Sequence, residues 1–460
     1  MAKRSKLIVV ANRLPVSRIG TGAAARWERS PGGLVSALDP VLAGRGGAWV
    51  GWTGAPGRAP RPFRNGNLKL LPVALSESEE TDYYHGMSNR TFWPLYHDAI
   101  RTPAFHRGWW QAYLEINRRF ARAAARQAVR GDMVWVHDYQ LQLVPEMIRQ
   151  LRPGVRIGFF LHIPFPPEEL FAWLPWRAEV LRGLLGADLV GFQTPEAAAN
   201  FARLARRYTT AVGTDSALEF EGRGVRCDSF PISIDYEAFD SLARDPAIID
   251  AAEKIREQVG RDRRIILSVD RLDYTKGIDY RLHSYADLLR RGRVSVEKTV
   301  LVQIAVPSRE PVPDYLEIRE IVERTVGRIN GEHAIPGRVA VHYFRRSLSR
   351  EDLIAWYLAA DVMLVTPLRD GMNLVAKEYV ACRTDDTGVL VLSEFAGAAR
   401  ELRRALLVNP RDMNGMGAAL LHALRMPRDR EHQNMHMLRA VVRRQDVAAW
   451  ADGFLEELRG

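Results

Sequence analysis

The sequence predicts an α/β protein built from two doubly wound halves. Short apolar runs alternate with longer stretches of helical periodicity through almost the whole chain, which is typical of βαβ units and mainly parallel sheets. At 460 residues the chain is too long for one ordinary core, so two domains, or three, are favoured. The composition, 47% hydrophobic and 26% charged, is that of a globular protein and excludes a disordered one.

Buried strands are predicted wherever a brief apolar run, often β-branched, is followed by polar or Gly/Pro sequence. These runs cover residues 7–11, 133–136, 157–161, 189–192, 265–269, 299–304, 339–342, 362–365 and 389–392. Ligands of open α/β sheets lie beyond the carboxyl ends of the strands. The residues directly after these runs are therefore the candidates for chemistry.

A domain boundary is predicted near residues 229–235, because a helical stretch, 246–259, and a new strand at Ile265 follow it. The expected division is an N-terminal Rossmann-like domain over residues 1–234 and a second Rossmann-like domain over residues 235–440. A final amphipathic segment, residues 441–460, is expected to pack back across the first domain.

Charge and cysteine content narrow the class of protein. The net charge of +10 suggests phosphate partners, but the basic residues are spread along helical stretches, which favours a solvated surface or small anionic substrates over nucleic acid. Cys227 and Cys382 are too few for a disulfide framework. The apolar run 7–11 is too short for a secretory signal or a membrane span. We expect a cytoplasmic protein with no nucleic-acid or membrane partner.

Two glycine-rich stretches follow the first strand. Residues 20–25, GTGAAA, fit the dinucleotide pattern G-x-G-x-x-A but open no convincing amphipathic helix, so the match is attributed to chance. Gly33 directly precedes a predicted helix, where backbone N–H groups and the helix dipole favour a phosphate. A Gly-Gly turn without a ligand is the alternative. The sequence contains no P-loop motif.

Two cations, Arg271 and Lys276, lie in the loop after the strand 265–269. They could clamp a diphosphate and stabilise a leaving group as its charge develops. The alternative is a pair of ordinary surface cations, and the position directly after a strand favours function.

Two histidines follow strands of the first half. His137, with Asp138 beside it, and His162 should meet at one edge of a parallel sheet. Imidazole and carboxylate groups hydrogen-bond sugar hydroxyls or transfer protons. A single histidine is more often structural, and a metal site is not supported, because H-E-x-x-H or a comparable ligand spacing is missing from the sequence.

Arginines and aromatic residues supply further candidates. Arg13 and Arg309 follow strands and could bind a phosphate bidentately. Tyr84 and Trp93 donate hydrogen bonds and present flat faces that suit sugars. A partly buried aromatic core is the alternative for this last pair.

The segment 366–379, TPLRDGMNLVAKEY, places polar residues between two apolar runs. If a helix begins at Asn373, its first backbone N–H groups point at any bound diphosphate. Asp370 would then accept hydrogen bonds from a sugar, and Glu378 from the two hydroxyls of a ribose. The alternative is an N-cap followed by an ordinary exposed glutamate.

Taken together, these motifs resemble the trehalose-6-phosphate synthases, retaining glycosyltransferases that join glucose from a sugar nucleotide to glucose 6-phosphate. The likeness extends over almost the whole chain, through VVANRLPVS, SPGGLVSAL, TFWPLYHD, VWVHDYQLQLVP, FFLHIPFPP, GFQT, VDRLDYTKG, VQIAVPSRE and TPLRDGMNLVAKEY. It implies two Rossmann-like domains facing a central cleft, the GT-B fold. It also implies UDP-glucose as the expected donor, glucose 6-phosphate as the acceptor, and no metal or other cofactor.

The resemblance assigns roles position by position. It implies acceptor contacts at Arg13, Tyr84, Trp93, Asp138 and Arg309. It implies donor contacts at Gly33, His162, Arg271, Lys276, Leu348, Leu353, Asp370, Met372, Asn373, Leu374, Val375 and Glu378. The expected catalytic residues are Asp138, His162, Arg271, Lys276 and Asp370.

The family's retention of configuration is ascribed to a front-face reaction in which the leaving phosphate deprotonates the attacking hydroxyl, so charge and alignment replace a protein nucleophile. His85 and Pro311 differ from the residues common in the family next to the acceptor-phosphate positions. Another acceptor is therefore the alternative, either glycerol 3-phosphate or the amino-cyclitol phosphate of a pseudo-glycosyltransferase. The motifs do not distinguish UDP, GDP and ADP as the nucleotide of the donor, nor a homodimer from a homotetramer.

Overall fold

The computed structural model describes residues 6–19, 26–29, 38 and 47–460. These residues form two compact units: the first comprises the described residues up to Ile232 together with Val447–Gly460, and the second is Ser233–Asp446. The sequence placed the two boundaries after residues 234 and 440. The chain returns to the first unit later than that, at Val447, because residues 441–444 continue the helix Arg428–Arg444.

The first unit is organised around a ten-stranded sheet. Its strands are β1 Leu7–Arg13, β4 Gly47–Trp52, β5 Phe63–Asn65, β6 Leu68–Val73, β7 Met133–His137, β8 Arg156–Phe160, β9 Leu189–Phe192, β10 Val212–Gly213, β11 Ala217–Phe220 and β12 Arg223–Ser229. Their order is β10-β11-β12-β9-β8-β7-β1-β4-β6-β5. Among the ten described strands of this sheet, β5 and β11 run opposite to the other eight. A separate antiparallel pair is formed by β2 Val16–Ile19 and β3 Arg26–Arg29.

The chain winds outward from β1 in both directions, first through β4 and β6 and then, on the other side, through β7, β8 and β9. Because β4 and β7 lie on opposite sides of β1, the direction of winding reverses between β1 and β7. In open α/β sheets, a ligand crevice opens at such a switch point beyond the carboxyl ends of the strands.

Helices cover this sheet. They are Glu77–Glu79, Trp93–Tyr96, Arg107–Ala125, Val144–Leu151, Glu168–Phe171, Arg177–Leu185, Pro195–Tyr208 and Val447–Arg459, with a π-helix, Glu80–Phe92, and a short 3-10 helix, Tyr139–Leu141. The helix Val447–Arg459 packs on β7 and β8: the Phe454 ring stacks on Trp135 at 4.6 Å between ring centroids. A Cβ added at Gly158 would lie 2.7 Å from the Phe454 ring, so the glycine makes room for the helix.

The second unit contains six parallel strands. They are β13 Arg264–Arg271, β14 Thr299–Val306, β15 Val341–Phe344, β16 Val362–Val365, β17 Val389–Ser393 and β18 Leu406–Val408. The order β15-β14-β13-β16-β17-β18 puts a second switch point between β13 and β16. The helices are Tyr236–Ala243, Pro246–Val259, Ile278–Arg290, Pro313–His333, Arg350–Ala359, Leu374–Cys382, Met413–Leu424 and Arg428–Arg444, with 3-10 helices Tyr274–Lys276 and Gly397–Arg400.

All of the strands predicted from apolar runs are present, and the α/β class with two doubly wound sheets is confirmed. The run predicted at residues 339–342 forms its strand at Val341–Phe344, two residues later. Within the described ranges, no helix combines the length and the apolar character needed to cross a membrane.

Candidate active site

A buried lysine and an aspartate meet at the switch point of the second sheet. Lys276 follows β13 and Asp370 follows β16, and the Lys276 Nζ donates to Asp370 Oδ2 at 2.5 Å. Both side chains are largely buried, with exposures of 9% and 15%. The structure therefore brings together two of the predicted residues that are distant in the sequence.

Gly277 lets the two loops approach each other. Its φ of +63° is left-handed, and a Cβ there would lie 2.6 Å from the carbonyl oxygen of Thr366. Beside it, the Leu368 N–H donates to the Thr275 carbonyl at 2.7 Å. A glycine is needed at this point because any side chain would push the loop after β13 away from the loop after β16.

The Asp370 loop leads into the helix Leu374–Cys382. The Asn373 side chain donates to Asp370 Oδ2 at 3.1 Å and caps the helix by accepting from the Ala376 N–H at 3.3 Å. Asn373 itself has a left-handed φ of 76°. The N–H groups in the first turn of a helix have no partner inside the helix, so those of Leu374 and Val375 are oriented to bind an anion. Met372 is buried just before this turn, and its N–H donates to Asp370 Oδ1 at 3.4 Å.

Asp273 is a buried carboxylate that the sequence reading did not single out. Its Oδ1 accepts from the Thr275 N–H and hydroxyl, both at 2.9 Å, and its Oδ2 accepts from the Tyr315 hydroxyl at 3.0 Å and pairs with Arg309 at 3.4 Å. Burial raises its pKa, but Arg309, Arg271 and Lys276 together bring the pKa below its usual value. Three positive charges therefore act on Asp273 at one edge of the sheet. Of the three cations, Arg271 is exposed.

Glu378 lies one turn into the helix Leu374–Cys382 and is half-buried. Its Oε2 accepts from the hydroxyl of the fully buried Tyr357 at 2.9 Å. Burial raises the pKa of Glu378, against the opposing effects of the Tyr357 hydrogen bond and of Arg350. Leu348 and Leu353, also half-buried, flank the start of the helix Arg350–Ala359 at the same carboxyl edge of the sheet.

In the first unit, Asp138 and His162 lie beyond β7 and β8. The Asp138 backbone has φ 74° and ψ 169°, a conformation that residues other than glycine rarely adopt. Its N–H donates to the Phe160 carbonyl at 2.8 Å, and its Oδ1 accepts from the His162 N–H at 3.2 Å. The predicted meeting of these residues at one sheet edge is confirmed, and the strained backbone directs the carboxylate towards His162.

The two histidines contact each other directly. His137 Nδ1 lies 3.1 Å from His162 Nε2, and their rings stack at 5.4 Å between centroids. Burial lowers the pKa of His162 to about 3, and burial together with His162 lowers that of His137 well below its usual value. Both imidazoles are therefore neutral at physiological pH and serve as hydrogen-bonding groups.

Arg13 lies at the end of β1, and its side chain extends over an aromatic ring. Its guanidinium carbon is 4.7 Å from the centroid of the Trp52 ring. A Cβ at Gly54 would fall 1.8 Å from Arg13 Nη1, and Gly54 has a φ of +90°, so the guanidinium occupies the space left by this glycine. Arg13 is exposed, and its charge opposes the burial that raises the pKa of Glu80.

The π-helix Glu80–Phe92 carries Tyr84. Its ring meets Trp52 edge-on at 5.7 Å between centroids, which places it near Arg13. Asn89, five residues on, donates to the Tyr84 carbonyl at 2.7 Å and accepts from the Tyr139 hydroxyl at 3.0 Å. Trp93 is buried against His97 and Tyr139, with ring centroids 4.1 and 5.7 Å away. Arg13 and Tyr84 are thus brought together, while Trp93 supports them from the core.

Residues 5–460 match the family model of glycosyltransferase family 20. The chain belongs to glycosyltransferase family 20. This membership confirms the resemblance and the enzyme class that the sequence motifs implied.

Relatives of this family 20 chain align with it over nearly the full length of both chains. A trehalose-6-phosphate synthase of Mycobacterium sp. (strain KMS) is 54% identical over 465 residues, which cover 99% of this chain and 95% of the relative. A UDP-forming α,α-trehalose-phosphate synthase from Burkholderia xenovorans, solved in complex with glucose-6-phosphate, has a TM-score of 0.91 at 33% identity, covering 99% of this chain and 100% of that one. The GT-B class is confirmed by this likeness.

A second similar structure is a trehalose-6-phosphate synthase used to study glycosyl transfer with retention. Its TM-score is 0.89 at 35% identity, and it covers 99% of either chain.

Sequence reasoning on this family 20 chain missed the groups that hold the candidate residues in place: Asp273, Tyr315, Tyr357 and Asn89. Asp273 stands between two residues that were predicted, Arg271 and Lys276, and this spacing was the available signal. Gly33 lies outside the described residues. Among the described residues, no group of three or more His, Cys, Asp or Glu is arranged to hold a metal ion.

Proposed function

We propose that this enzyme transfers the glucosyl group of UDP-glucose to glucose 6-phosphate with retention of configuration, giving trehalose 6-phosphate and UDP. The Lys276–Asp370 pair at the switch point of the second sheet carries the proposal, because it puts a cation for the diphosphate 2.5 Å from the carboxylate that we assign to the sugar. Family membership and the UDP-forming relative solved with glucose-6-phosphate support the same substrates.

In this proposal the second unit binds the donor. Arg271 and Lys276 bind the diphosphate, with the backbone N–H groups at Asn373, Leu374 and Val375. Asp370 and His162 hydrogen-bond the donor glucose, and Glu378 accepts from the ribose. Leu348, Leu353 and Met372 complete the donor contacts, together with Gly33.

The first unit binds the acceptor. Arg13 and Tyr84 hold the phosphate of glucose 6-phosphate, with Trp93 and, from the second unit, Arg309. Asp138 accepts from a hydroxyl of the acceptor sugar. The closeness of Arg13 and Tyr84 around the Trp52 ring supports a common ligand for them.

The transfer breaks the bond between the glucosyl anomeric carbon and the diphosphate oxygen and forms a bond from that carbon to the acceptor hydroxyl. The proton of the hydroxyl passes to the departing phosphate. Arg271 and Lys276 stabilise the negative charge that develops on the leaving group. His162, neutral because burial lowers its pKa to about 3, provides a hydrogen bond and no proton. We place the reaction in the cytoplasm, with the two substrates as partners.

The decisive experiment supplies the purified protein, without added metal, with glucose 6-phosphate and UDP-, GDP- or ADP-glucose in turn. Mass spectrometry and anomeric NMR identify the product. We expect an α,α-linked disaccharide phosphate with UDP-glucose. A parallel series replaces glucose 6-phosphate with glycerol 3-phosphate or an amino-cyclitol phosphate, and product formation there alone would reassign the acceptor. No disaccharide phosphate with any donor would refute the proposal.

A further inference from the structure

The carboxylate assigned to the ribose is held by a residue of another helix. Glu378 lies on the helix Leu374–Cys382, and Tyr357 lies on the helix Arg350–Ala359. The Tyr357 side chain is fully buried, and its hydroxyl donates to Glu378 Oε2 at 2.9 Å. A phenol so enclosed has little rotational freedom, so the hydrogen bond fixes one oxygen of the carboxylate.

The charged groups around this pair come from several elements. Burial raises the pKa of Glu378, while the Tyr357 hydrogen bond and the Arg350 charge lower it. Asp270 on β13 and Cys382 on the Glu378 helix both act on the Tyr357 phenol, whose pKa burial raises well above its usual value. From the helix Tyr236–Ala243, Asp240 acts on Cys382.

The helix Arg428–Arg444 also packs on the Glu378 helix, and its Glu431 acts on Tyr379. Tyr357 and Arg350 are thus the groups that favour the ionised form of Glu378 against its burial.

We propose that Tyr357 is a positioning residue of the nucleotide-sugar site: its hydroxyl holds Glu378 Oε2, so that Oε1 is presented to a vicinal diol of the donor. This inference rests on the proposed function, because it takes Glu378 as the ribose contact. An ionised carboxylate oxygen has two lone pairs, so Oε1 can accept hydrogen bonds from both hydroxyls of a vicinal diol. Without the phenol hydroxyl, Glu378 either takes up a proton or rotates, and each change weakens the grip on the diol.

Tyr357→Phe tests whether the Tyr357 hydroxyl positions Glu378, and Tyr379→Phe is the matched control. Tyr379 is also fully buried, and its ring centroid lies 6.2 Å from that of Tyr357. The Tyr379 hydroxyl has no hydrogen-bond partner among the described residues. Tyr379→Phe therefore removes the same atom from the same region and leaves Glu378 hydrogen-bonded.

The readout is kcat and the KM for UDP-glucose from about pH 5 to about pH 9, with glucose 6-phosphate saturating. Removing a hydrogen bond to the carboxylate raises the pKa of Glu378, so the acid limb of kcat/KM for the donor moves to higher pH. Near the acid limb we expect about a tenfold higher KM in Tyr357→Phe, with kcat changed less than about twofold. Tyr379→Phe should follow the wild type. The phosphate of glucose 6-phosphate titrates in the same way with all three proteins. Its effect is therefore removed when the pH profiles of the variants are compared with that of the wild type.

A second variant, Glu378→Gln, removes the titrating group and leaves Tyr357 in place. Its donor KM should be raised at every pH, and adding Tyr357→Phe to it should shift no acid limb. Thermal unfolding of each variant checks that it is folded. Equal behaviour of Tyr357→Phe and Tyr379→Phe, or a loss in kcat with an unchanged donor KM, would overturn the inference. If the wild type makes no disaccharide phosphate, the proposed function fails instead, so the two failures are distinct.

Discussion

Lys276 contributes a buried charge to the candidate site. Its ammonium is 2.5 Å from Asp370 and only 9% of the side chain is exposed. A buried ion pair gains little over apolar packing, yet removing one partner leaves the other charge uncompensated. Such a pair is better explained by binding than by stability, because a diphosphate would compete with Asp370 for the ammonium.

Replacing Lys276 with alanine tests this explanation. We expect Lys276→Ala to lower kcat/KM by about a hundredfold or more, because the leaving diphosphate loses a charge that stabilises it. Steady-state kinetics measure the loss, and circular dichroism checks the fold. Lys254→Ala is the control, since Lys254 forms an exposed pair with Asp250 at 2.7 Å. Near-wild-type rates in Lys276→Ala would remove the lysine from the diphosphate site.

His162, which is partly buried, makes stability depend on pH. The folded His162 has a pKa lowered to about 3 by burial, so between that value and about pH 6.5 the unfolded chain binds a proton that the folded chain does not. The free energy of unfolding therefore falls as the pH falls through this range. We expect His162→Gln to flatten the dependence by up to about 1.4 kcal/mol per pH unit. Urea unfolding at a series of pH values measures this dependence, and an unchanged slope would contradict a neutral imidazole at His162.

Residues assigned to ligand contacts have a signal in the sequence that the residues bonded to them lack. Arg271, Lys276 and Asp370 follow apolar runs, so the strand pattern alone points to them. Tyr357 gives no such signal: it lies inside a helix, and its partner Glu378 is 21 residues away in the sequence. A hydrogen bond between helices depends on packing that no local pattern encodes.

At the scale of an element, the carboxylate of Asp273 connects the loop after β13 to the residues after β14. Asp273 caps the 3-10 helix Tyr274–Lys276 and also pairs with Arg309, which follows β14. The loop that carries the proposed donor cations is therefore joined to a proposed acceptor cation.

Asp273→Asn keeps the shape of the side chain and removes its charge. We expect the KM values for donor and acceptor to rise together by about tenfold, because Arg309 loses its carboxylate partner and the negative charge that acts on Arg271 and Lys276 is removed. Initial rates with each substrate varied in turn measure the two constants. The control is Asp262→Asn, since Asp262 is half-exposed and pairs with Arg338 at 3.1 Å. A rise for one substrate alone would show that the two sets of cations are positioned independently.

Elements outside the apolar-run pattern escaped the sequence reading. β4, Gly47–Trp52, contains two glycines and two tryptophans, and β12, Arg223–Ser229, alternates buried with more exposed residues. The π-helix Glu80–Phe92 has no apolar periodicity of 3.6 residues to reveal it, because its turn is wider. Parallel buried strands were predictable because both of their faces are covered and their sequences are therefore apolar throughout.

At the scale of the whole molecule, the first unit is closed by the last helix of the chain. Phe454 and Leu458 of Val447–Arg459 lie over Gly158 on β8, where an added Cβ would be 2.7 and 3.1 Å from them. The boundary near residues 229–235 was expected from the helix and the strand that follow it, whereas the residue at which the chain returns to the first unit depends on where the helix Arg428–Arg444 ends.

Gly158→Ala measures how tightly this helix is packed. We expect a loss of about 1–3 kcal/mol in the free energy of unfolding of the first unit, because an overpacked core must shift. Denaturant unfolding gives the value, and Phe454→Leu in the same chain should restore part of it through non-additive coupling. Gly224→Ala on β12 is the control, because a Cβ there meets nothing within 4 Å. Equal free energies of unfolding for the two glycine variants would mean that the helix Val447–Arg459 shifts to accommodate the added methyl group without loss of stability.

The helix Val447–Arg459 completes the first unit but is synthesised after the whole of the second unit. The sheet of the first unit leaves the ribosome before the second unit is made, but the helix that covers Trp135 and Gly158 is translated after residue 446. At about 5–20 residues per second, the apolar surface around Trp135 and Gly158 stays open for a time on the order of tens of seconds. Until the helix Val447–Arg459 is made, this apolar surface lacks the cover that Phe454 gives it in the folded protein.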